Sequence, residues 1–371
     1  MPFYNDLRPQ SDYDKRDYAL VFPDMRVSEK RRTITNLLRL KAGLDENVSA
    51  RKTNENLLIA SWNIKEFGHT LQRLNEAYFY IAEIISRFDL VAVQEVKSTL
   101  KDLDIVMRIL GSDWDYLVND ITDGSSGNSE RSAYLFNKKR LNLSGLAGEL
   151  VLWPEITAGS AIKQLKRTPY ITGFKSAWKS FVMLNMHLHP GDDNDDLAYR
   201  NEEVRLLLAA LDHKMDRLWS RNLILAGDFN LYQGDDNETI QLFHDAGFSE
   251  IDGLIGLDTN VSQTQAYDRL FVHKNSYFQI ATNAQGQEIG NVFNPFDYVY
   301  KQEDHSQYQQ QMVDHYGGTK DLNSDAVALE KYFMRYWRRN QMSDHFPIWF
   351  ELSTDSSTEF LGKKFAQLGV E

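Results

Sequence analysis

The sequence contains no cysteine in its 371 residues. Disulfide bonds, thiolate nucleophiles, cysteine-containing zinc sites and iron–sulfur clusters are therefore excluded. Long apolar runs are missing too, since none approaches the roughly 18 residues of a membrane-spanning helix. The opening residues, 1 to 22, mix charges and lack the apolar core of a signal peptide. We therefore expect an intracellular protein with a cytoplasmic location and no membrane partner.

The chain also has fewer basic than acidic residues. The chain has 41 Lys and Arg against 53 Asp and Glu, which gives a formal net charge of −12. This balance argues against a protein that coats nucleic acid by bulk charge. It does not exclude a nuclease, because metal-binding carboxylates make an active site acidic and a local basic patch can contact phosphates.

Apolar residues make up 42% of the chain and aromatic residues 12%, which predicts a folded core rather than disorder. Short apolar segments with strand-forming residues lie at 57–63, 90–95, 132–137, 180–189, 222–230, 266–272 and 346–352. Helical patterns lie between them at 71–87, 98–110 and 195–219. Because strands and helices are interspersed without strict βαβ regularity, we expect an α/β domain whose sheets pack together under outer helices.

Two segments lie outside this pattern. Residues 1–56 form an N-terminal extension with a helix predicted over 28–43, beginning after Ser28 as N-cap and ending near Gly43. Residues 286–343 form an insertion in the main domain, 57–352, and end in a second predicted helix over 325–340. Residues 353–371 are expected to be a C-terminal tail.

Polar side chains of catalytic type close most of the apolar segments. In chain order the motifs are WN, QE, ER, NMH, GDFN, YDR and SDH. Hydrolysis of phosphate esters uses such groups, because Mg²⁺ takes oxygen ligands and a histidine paired with a carboxylate can deprotonate water. Further His, Asn and Arg groups stabilise the charge that develops in the transition state. Each motif alone is weak evidence for a site that hydrolyses phosphate esters. Their occurrence in this order is stronger evidence.

The ordered set resembles the endonuclease/exonuclease/phosphatase superfamily, and within it the deoxyribonuclease I branch. The motifs that carry the resemblance are NIKEFG (63–68), QEVK (94–97), NSERSAYLF (128–136), KRTP (166–169), MHLHPGD (186–192), GDFN (227–230), YDRLFV (267–272) and SDHFPI (343–348). The resemblance implies that 57–352 is a catalytic domain folded as a four-layered α/β sandwich, with two packed mixed β-sheets flanked by helices. The active site would lie at one edge of the sheets.

The resemblance also implies roles for single residues. Mg²⁺ or Mn²⁺ would be held by Glu95, Asn63 and Asp344. His345 would be the base that acts on water, with Asp268 accepting its second ring N–H. On the other side of the scissile phosphate, His187 would act as acid or electrostatic partner, oriented by Glu130.

Other residues would contact the substrate. Asp228 and Asn230 would bind the phosphate or the nucleophile and could help to hold a second metal ion. Arg167 and Tyr267 match the family's phosphate-contacting arginine and its tyrosine beside the Asp. Lys65 and Lys97 stand where the family pattern has arginines, so that a bidentate phosphate contact becomes a point charge.

The insertion contributes a further hypothesis. On one α-helix, three arginines at spacing i, i+3 and i+4 would share a basic face that contacts a polynucleotide: Arg335, Arg338 and Arg339. The alternative is an amphipathic helix whose arginines are simply solvated.

The sequence is consistent with three functions. The first is a metal-dependent endonuclease, for which the resemblance favours DNA over RNA. The second is a phosphatase or phosphodiesterase of the same superfamily with a small phosphorylated substrate, and the third is a catalytically inert binding module of this fold. A zinc site started by His187 and His189 on one strand face is a further, less favoured alternative.

Overall fold

Two six-stranded mixed sheets lie face to face in the computed structural model, which describes residues 2–12, 20–68, 72–121, 129–215, 220–232 and 236–369. The first sheet contains, in spatial order, β11 (Gly290–Val292), β12 (Ile348–Ser353), β1 (Asn56–Phe67), β2 (Leu90–Lys97), β4 (Glu130–Asn137) and β3 (Trp114–Val118). The second contains β5 (Asn142–Glu149), β6 (Tyr170–Ser176), β7 (Lys179–His187), β8 (Leu223–Asp228), β10 (Asp268–His273) and β9 (Ser249–Glu250). All seven predicted strands are thereby confirmed, although Asn128 of the NSERSAYLF motif lies outside the described residues.

The alternation of side chains along each strand explains the layering. On β1, Leu57 and Ile59 belong to the apolar cluster between the two sheets, whereas Leu58 and Ala60 belong to the cluster under the helices. Successive side chains on a strand point to opposite faces, so an inner strand covered on both sides reads as a continuous apolar run. This is why the central strands were recognisable in the sequence.

Helices cover the outer face of each sheet. The first sheet is covered by α1 (Val27–Asn47), α2 (Asn75–Ile85) and α3 (Lys101–Leu110), and the second by α4 (Asn194–Met215) and α5 (Asp236–Asp245). The four-layered sandwich is therefore confirmed, together with the three predicted central helices, of which residues 71 and 216–219 lie outside the described ranges. Within those ranges, no helix combines the length and apolar character that crossing a bilayer requires.

The N-terminal extension packs onto this domain through α1. The helix begins at Val27, where Glu29 accepts a hydrogen bond from the backbone N–H of Arg26 at 2.7 Å, and it continues past Gly43 to Asn47. The predicted start after Ser28 and end near Gly43 are therefore wrong. A Cβ atom at Gly43 would lie 2.2 Å from the ring of Tyr298, so this glycine allows the insertion to approach the helix.

The insertion contains β11, two 3₁₀ helices (Pro295–Asp297 and Gln302–Tyr308) and three short α-helices: α6 (Gln309–His315), α7 (Ala326–Tyr332) and α8 (Arg338–Gln341). A π turn over Phe333–Trp337 joins the last two. The helix predicted over 325–340 is thus helical but interrupted. Beyond β12, the expected tail contains a further helix, α9 (Ser357–Leu368).

Candidate active site

Both sheets contribute polar side chains to one edge of the sandwich. The parallel pairs β1–β2 and β7–β8 end there, and the antiparallel neighbours β4 and β10 begin there. Asp268 therefore pairs with Asp228 across β10 and β8, and Glu130 pairs with Lys97 across β4 and β2. The opposite directions of these strands explain why some site residues follow an apolar run and others precede one.

The backbone departs from regular strand geometry at this edge. Glu95 has a φ of 59° in an irregularity between β2 and β4, and Asn230 has a φ of 48° just after β8. Non-glycine residues adopt such left-handed conformations rarely, and a bulge re-aims the side chain that it carries. Gly227 has a φ of 148°, and a Cβ atom there would lie 1.9 Å from the carbonyl oxygen of Met186. The GDFN motif therefore requires glycine at its first position.

His345 forms the first histidine–carboxylate pair. Its Nδ1 lies 2.8 Å from Oδ2 of the buried Asp268, and the hydroxyl of Thr259 donates to the same oxygen at 2.7 Å. The Tyr267 ring lies beside the imidazole, with 5.8 Å between the centroids. Burial alone would lower the pKa of His345, but the charges of Asp268, Asp228 and Asp344 outweigh it and raise that pKa well above its usual value.

His187 forms the second pair. Its Nδ1 lies 3.3 Å from Oε2 of Glu130, and the Arg167 Nε donates to the same oxygen at 3.1 Å. Lys97 Nζ lies 3.4 Å from the other Glu130 oxygen. Burial raises the pKa of the Glu130 carboxyl, but hydrogen bonding to His187 and the charges of His187, Arg167 and Lys97 prevail and lower it to about 2.

The two imidazoles face a common carboxylate. Oδ2 of Asp228 lies 3.5 Å from Nε2 of His187 and 3.8 Å from Nε2 of His345. The same oxygen accepts a hydrogen bond from the amide of Asn63 at 3.0 Å. The backbone N–H of Asn230 donates to Oδ1 at 3.0 Å. Each histidine thus directs one nitrogen to its own carboxylate and the other to the centre of the site.

Asn63 and Glu95 offer oxygen atoms to a cation. The Asn63 amide donates to Oε1 of Glu95 at 3.1 Å, while its own Oδ1 is buried and has no hydrogen-bond partner among the described residues. No three His, Cys, Asp or Glu side chains converge as a metal cluster in the described part of the chain. Zinc normally takes three or four such protein ligands, whereas Mg²⁺ needs only one or two carboxylates plus water and phosphate. This donor pair fits a hard cation.

Three other residues predicted to bind the metal ion or the phosphate already have charged partners within the protein: Asp344, Lys65 and Lys97. Lys65 Nζ lies 2.7 Å from Oδ2 of Asp344, and the predicted metal ligand is thus ion-paired. Although burial opposes it, the charges of His345 and Lys65 lower the pKa of the Asp344 carboxyl. Metal ligation by Asp344 stays a prediction, as do the phosphate contacts of Lys65 and Lys97.

Among the residues that the structure describes, the three insertion arginines contact no common partner. Arg335 is exposed, Arg338 packs its guanidinium over the Phe296 ring at 4.5 Å, and Arg339 donates to the hydroxyl of Ser262 at 3.3 Å. The π turn changes the spacing on which the prediction of a single basic face depended. Arg339 is linked to the site, because the backbone N–H of Val261, next to Ser262, donates to the carbonyl of Asp344.

His187 and His189 do not share a site either. His189 lies 2.9 Å from Asp196 and 3.1 Å from the Lys166 ammonium, whereas His187 faces Glu130 and Asp228. The strand ends at His187, so the alternation that would place both side chains on one face stops there. The zinc alternative built on this pair is therefore wrong.

Sequence reasoning missed two hydroxyl groups that hold the site together. Ser343 donates to the carbonyl of Asn63 at 2.6 Å and accepts from the backbone N–H groups of Lys65 and His345, both at 3.1 Å. Ser343 lies within the SDH motif and could have been singled out. Thr259, the partner of Asp268, lies in a polar loop with no distinguishing pattern.

Comparison with known proteins gives the family. The model of the Endonuclease/Exonuclease/phosphatase family matches residues 60–345. The chain belongs to this family. Among similar proteins, deoxyribonuclease-1 of Canis lupus familiaris is 25% identical over 272 residues, covering 70% of this chain and 89% of the relative. Human deoxyribonuclease gamma is 25% identical over 182 residues, covering 46% of this chain and 55% of the relative.

Two solved structures are distantly similar. An endonuclease/exonuclease/phosphatase family protein from Bacteroides thetaiotaomicron is 19% identical with a TM-score of 0.49, covering 81% of this chain and 98% of that one. A humanized TDP2 of D. rerio is 12% identical with a TM-score of 0.47, covering 80% and 98%.

Proposed function

We propose that this protein is a nuclease that hydrolyses phosphodiester bonds in DNA with the help of Mg²⁺ or Mn²⁺. The observation that supports the proposal most is the pair of histidine–carboxylate units whose Nε2 atoms face Asp228 from two sides. The similarity to deoxyribonuclease-1 supports DNA as the substrate. Buried imidazoles and carboxylates in one place are costly for stability, which argues against an inert binding module.

The geometry suggests a division of labour between the two histidines. Asp268 fixes the tautomer of His345 through Nδ1, so Nε2 can accept the proton of an attacking water. On the opposite side, His187 can donate a hydrogen bond or a proton to the departing oxygen, with Glu130 as its orienting partner. Arg167, held by the same carboxylate, can direct its remaining N–H groups to a phosphate oxygen.

The metal requirement is the finer part of the proposal. When bound, the cation would be held by Glu95 and Asn63 and would supply positive charge that neutralises the phosphate and lowers the pKa of His345 toward that of a base. The Asn63 Oδ1, which is buried and has no hydrogen-bond partner in the part of the chain that the structure describes, supports this assignment.

One assay separates the proposed function from its alternatives. Purified protein is given supercoiled plasmid, single-stranded DNA, RNA and a chromogenic phosphodiester, each with Mg²⁺, Mn²⁺, Zn²⁺ or EDTA. We expect nicking of the plasmid with Mg²⁺ or Mn²⁺, none with Zn²⁺, and loss of activity in EDTA and in Glu95→Gln. Full cleavage in EDTA, or wild-type activity of Glu95→Gln, would contradict the metal assignment.

A small-molecule phosphoesterase is the second candidate. The observation that favours it is the placement of Arg338 against Phe296, which removes one cation from the expected polynucleotide surface. Under that alternative, the chromogenic substrate would be hydrolysed while plasmid, single-stranded DNA and RNA would all stay intact.

A further inference from the structure

Arg73 lies between β1 and α2, and its guanidinium is completely buried. It donates four hydrogen bonds to three separate parts of the chain: to Asp102 Oδ2 at 2.5 Å, to the carbonyl of Lys65 at 3.0 Å, to that of Gln341 at 3.1 Å and to that of Met342 at 3.4 Å. The Tyr78 hydroxyl donates to the other oxygen of Asp102 at 2.9 Å, so the carboxylate that compensates the buried charge is itself held in place.

The two backbone segments joined by Arg73 carry opposite parts of the candidate site. Lys65 follows Asn63 by two residues on β1, and Met342 precedes Asp344 by two residues at the end of the insertion. Neighbouring groups strengthen the same junction. The Gln341 side chain accepts from the backbone N–H of Leu74 at 2.7 Å and donates to the carbonyl of Gln72 at 2.8 Å.

We propose that Arg73 is a positioning residue that sets the end of β1 against the Asp344–His345 segment. Through this junction it controls the relative position of the Asn63–Glu95 pair and the His345 imidazole. A guanidinium can do this because its planar fork presents five N–H donors at fixed angles. An ammonium of the same charge has three rotatable donors on a flexible stem and cannot hold the same four acceptors. The effect on turnover rests on the proposed function, but the effect on geometry does not.

The chain offers a matched control at the far end of the same strand. Arg140 lies 3.2 Å from Asp89 and donates to the carbonyls of Lys52, at 3.3 Å, and of Asn56, where β1 begins. It is thus a second largely buried arginine that joins a carboxylate to backbone carbonyls, here at and just before the start of β1 and away from the site. Arg73→Lys and Arg140→Lys therefore make the same chemical change at the two ends of one strand.

The indole of Trp62 reports the position of the Asp344–His345 segment. Trp62 is fully buried on β1, and its Nε1–H donates to the carbonyl of His345 at 3.0 Å. Seven tryptophans give at most seven indole signals in a ¹H–¹⁵N spectrum, and Trp62→Phe identifies the relevant one. This measurement needs neither substrate nor metal.

We expect Arg73→Lys to shift the Trp62 indole signal and to leave the other indole signals in place, whereas Arg140→Lys leaves the Trp62 signal unchanged. We expect kcat on plasmid DNA to fall about 10- to 100-fold in Arg73→Lys with KM changed by less than about threefold, because the damage is a misplacement rather than a lost substrate contact. A folded Arg73→Lys with an unmoved Trp62 signal and a kcat within about twofold of wild type would overturn the proposal.

A second variant decides the matter if Arg73→Lys does not fold. Asp102→Asn keeps the guanidinium and removes only the charge that anchors it, so we expect the same Trp62 shift at smaller size; an unmoved signal would overturn the proposal. An inactive wild-type protein would refute the proposed nuclease activity. The Trp62 comparison would still test whether Arg73 positions the Asp344–His345 segment.

Discussion

Asp268→Asn is a sharp test of the His345 pair, because it changes one atom in a buried position. The present carboxylate accepts from His345 and from Thr259 through Oδ2, while Oδ1 is buried without a hydrogen-bond partner among the described residues. An asparagine has two ways to fit. With its oxygen toward His345, its NH₂ group occupies the unpartnered position. With its NH₂ group toward His345, the ring must carry its proton on Nε2.

Both orientations impair catalysis. The first replaces a charge-assisted hydrogen bond, which is worth about 1.5–3 kcal/mol, and buries an unsatisfied donor at a cost of about 1–3 kcal/mol in stability. At about 1.4 kcal/mol for each factor of ten, complete loss of that hydrogen bond would correspond to about 10- to 150-fold in rate, and this is the upper limit because the amide oxygen still accepts a neutral hydrogen bond. The second orientation blocks the nitrogen that must accept a proton, and general-base catalysis contributes about 10²- to 10⁴-fold. We therefore expect kcat to fall by about 10- to 10⁴-fold, with the larger losses in the second orientation.

The assay is single-turnover nicking of supercoiled plasmid by Asp268→Asn, His345→Ala and the double variant. Because both changes disable the same proton transfer, the double variant should be slower than His345→Ala by no more than about twofold. Asp304→Asn is the control. Asp304 lies in the insertion and is also a buried carboxylate, but its partner is Arg39 on α1, at 2.9 Å. Additive losses in the double variant, or a kcat within about threefold of wild type in Asp268→Asn, would refute this reasoning.

Three further predictions follow from the site and its surroundings. The pKa of about 2 for Glu130 lies below that of an unfolded glutamate, so its contribution to stability is complete above pH ~4.5 and is lost as the pH falls toward 2. Chemical denaturation at a series of pH values should show Glu130→Gln less stable than wild type by up to about 3 kcal/mol at pH 7 and equal to it near pH 2; a constant difference would contradict this. Replacing Arg335 and Arg339 together by Gln should raise KM for plasmid and flatten its salt dependence without changing hydrolysis of a chromogenic diester, and equal kinetics on both substrates would leave these two arginines a structural role only. Gly227→Ala should lower the midpoint of thermal unfolding by several degrees because its Cβ would collide with a backbone carbonyl, and an unchanged midpoint would show that the strand can shift.

The sequence predicted the sandwich because its central strands are buried on both faces. Such strands read as continuous apolar runs, and the polar residue that ends each run must lie at a sheet edge. This pattern placed His187 and Asp228 at strand ends, and the family resemblance implied that they meet Asp268, which begins its strand. The short edge strands β9 and β11 have no such signal, because they are only partly buried and consist of 2 and 3 residues.

Contacts between distant parts of the chain could not be predicted in the same way. Gly43 resembled a helix end, and only the ring of Tyr298 on the insertion explains it. Arg73 had no motif around it, since its acceptors are mostly backbone carbonyls, up to 269 positions away in the sequence. Regular α-helical spacing predicts a basic face that includes Arg338, but a π turn over Phe333–Trp337, for which the sequence has no signal, interrupts that spacing. The roles assigned to single site residues stay predictions.

The most direct test of the central claim is a comparison of plasmid nicking by wild type, His187→Ala and His345→Ala in Mg²⁺, with thermal unfolding of all three. If the two histidines act from opposite sides of one phosphate, each alanine variant should lose about 10²- to 10⁴-fold in turnover while staying folded at the assay temperature, with an unfolding midpoint lowered by several degrees at most. Wild-type turnover in either variant, or a wild-type protein that leaves the plasmid intact in Mg²⁺, would contradict the account.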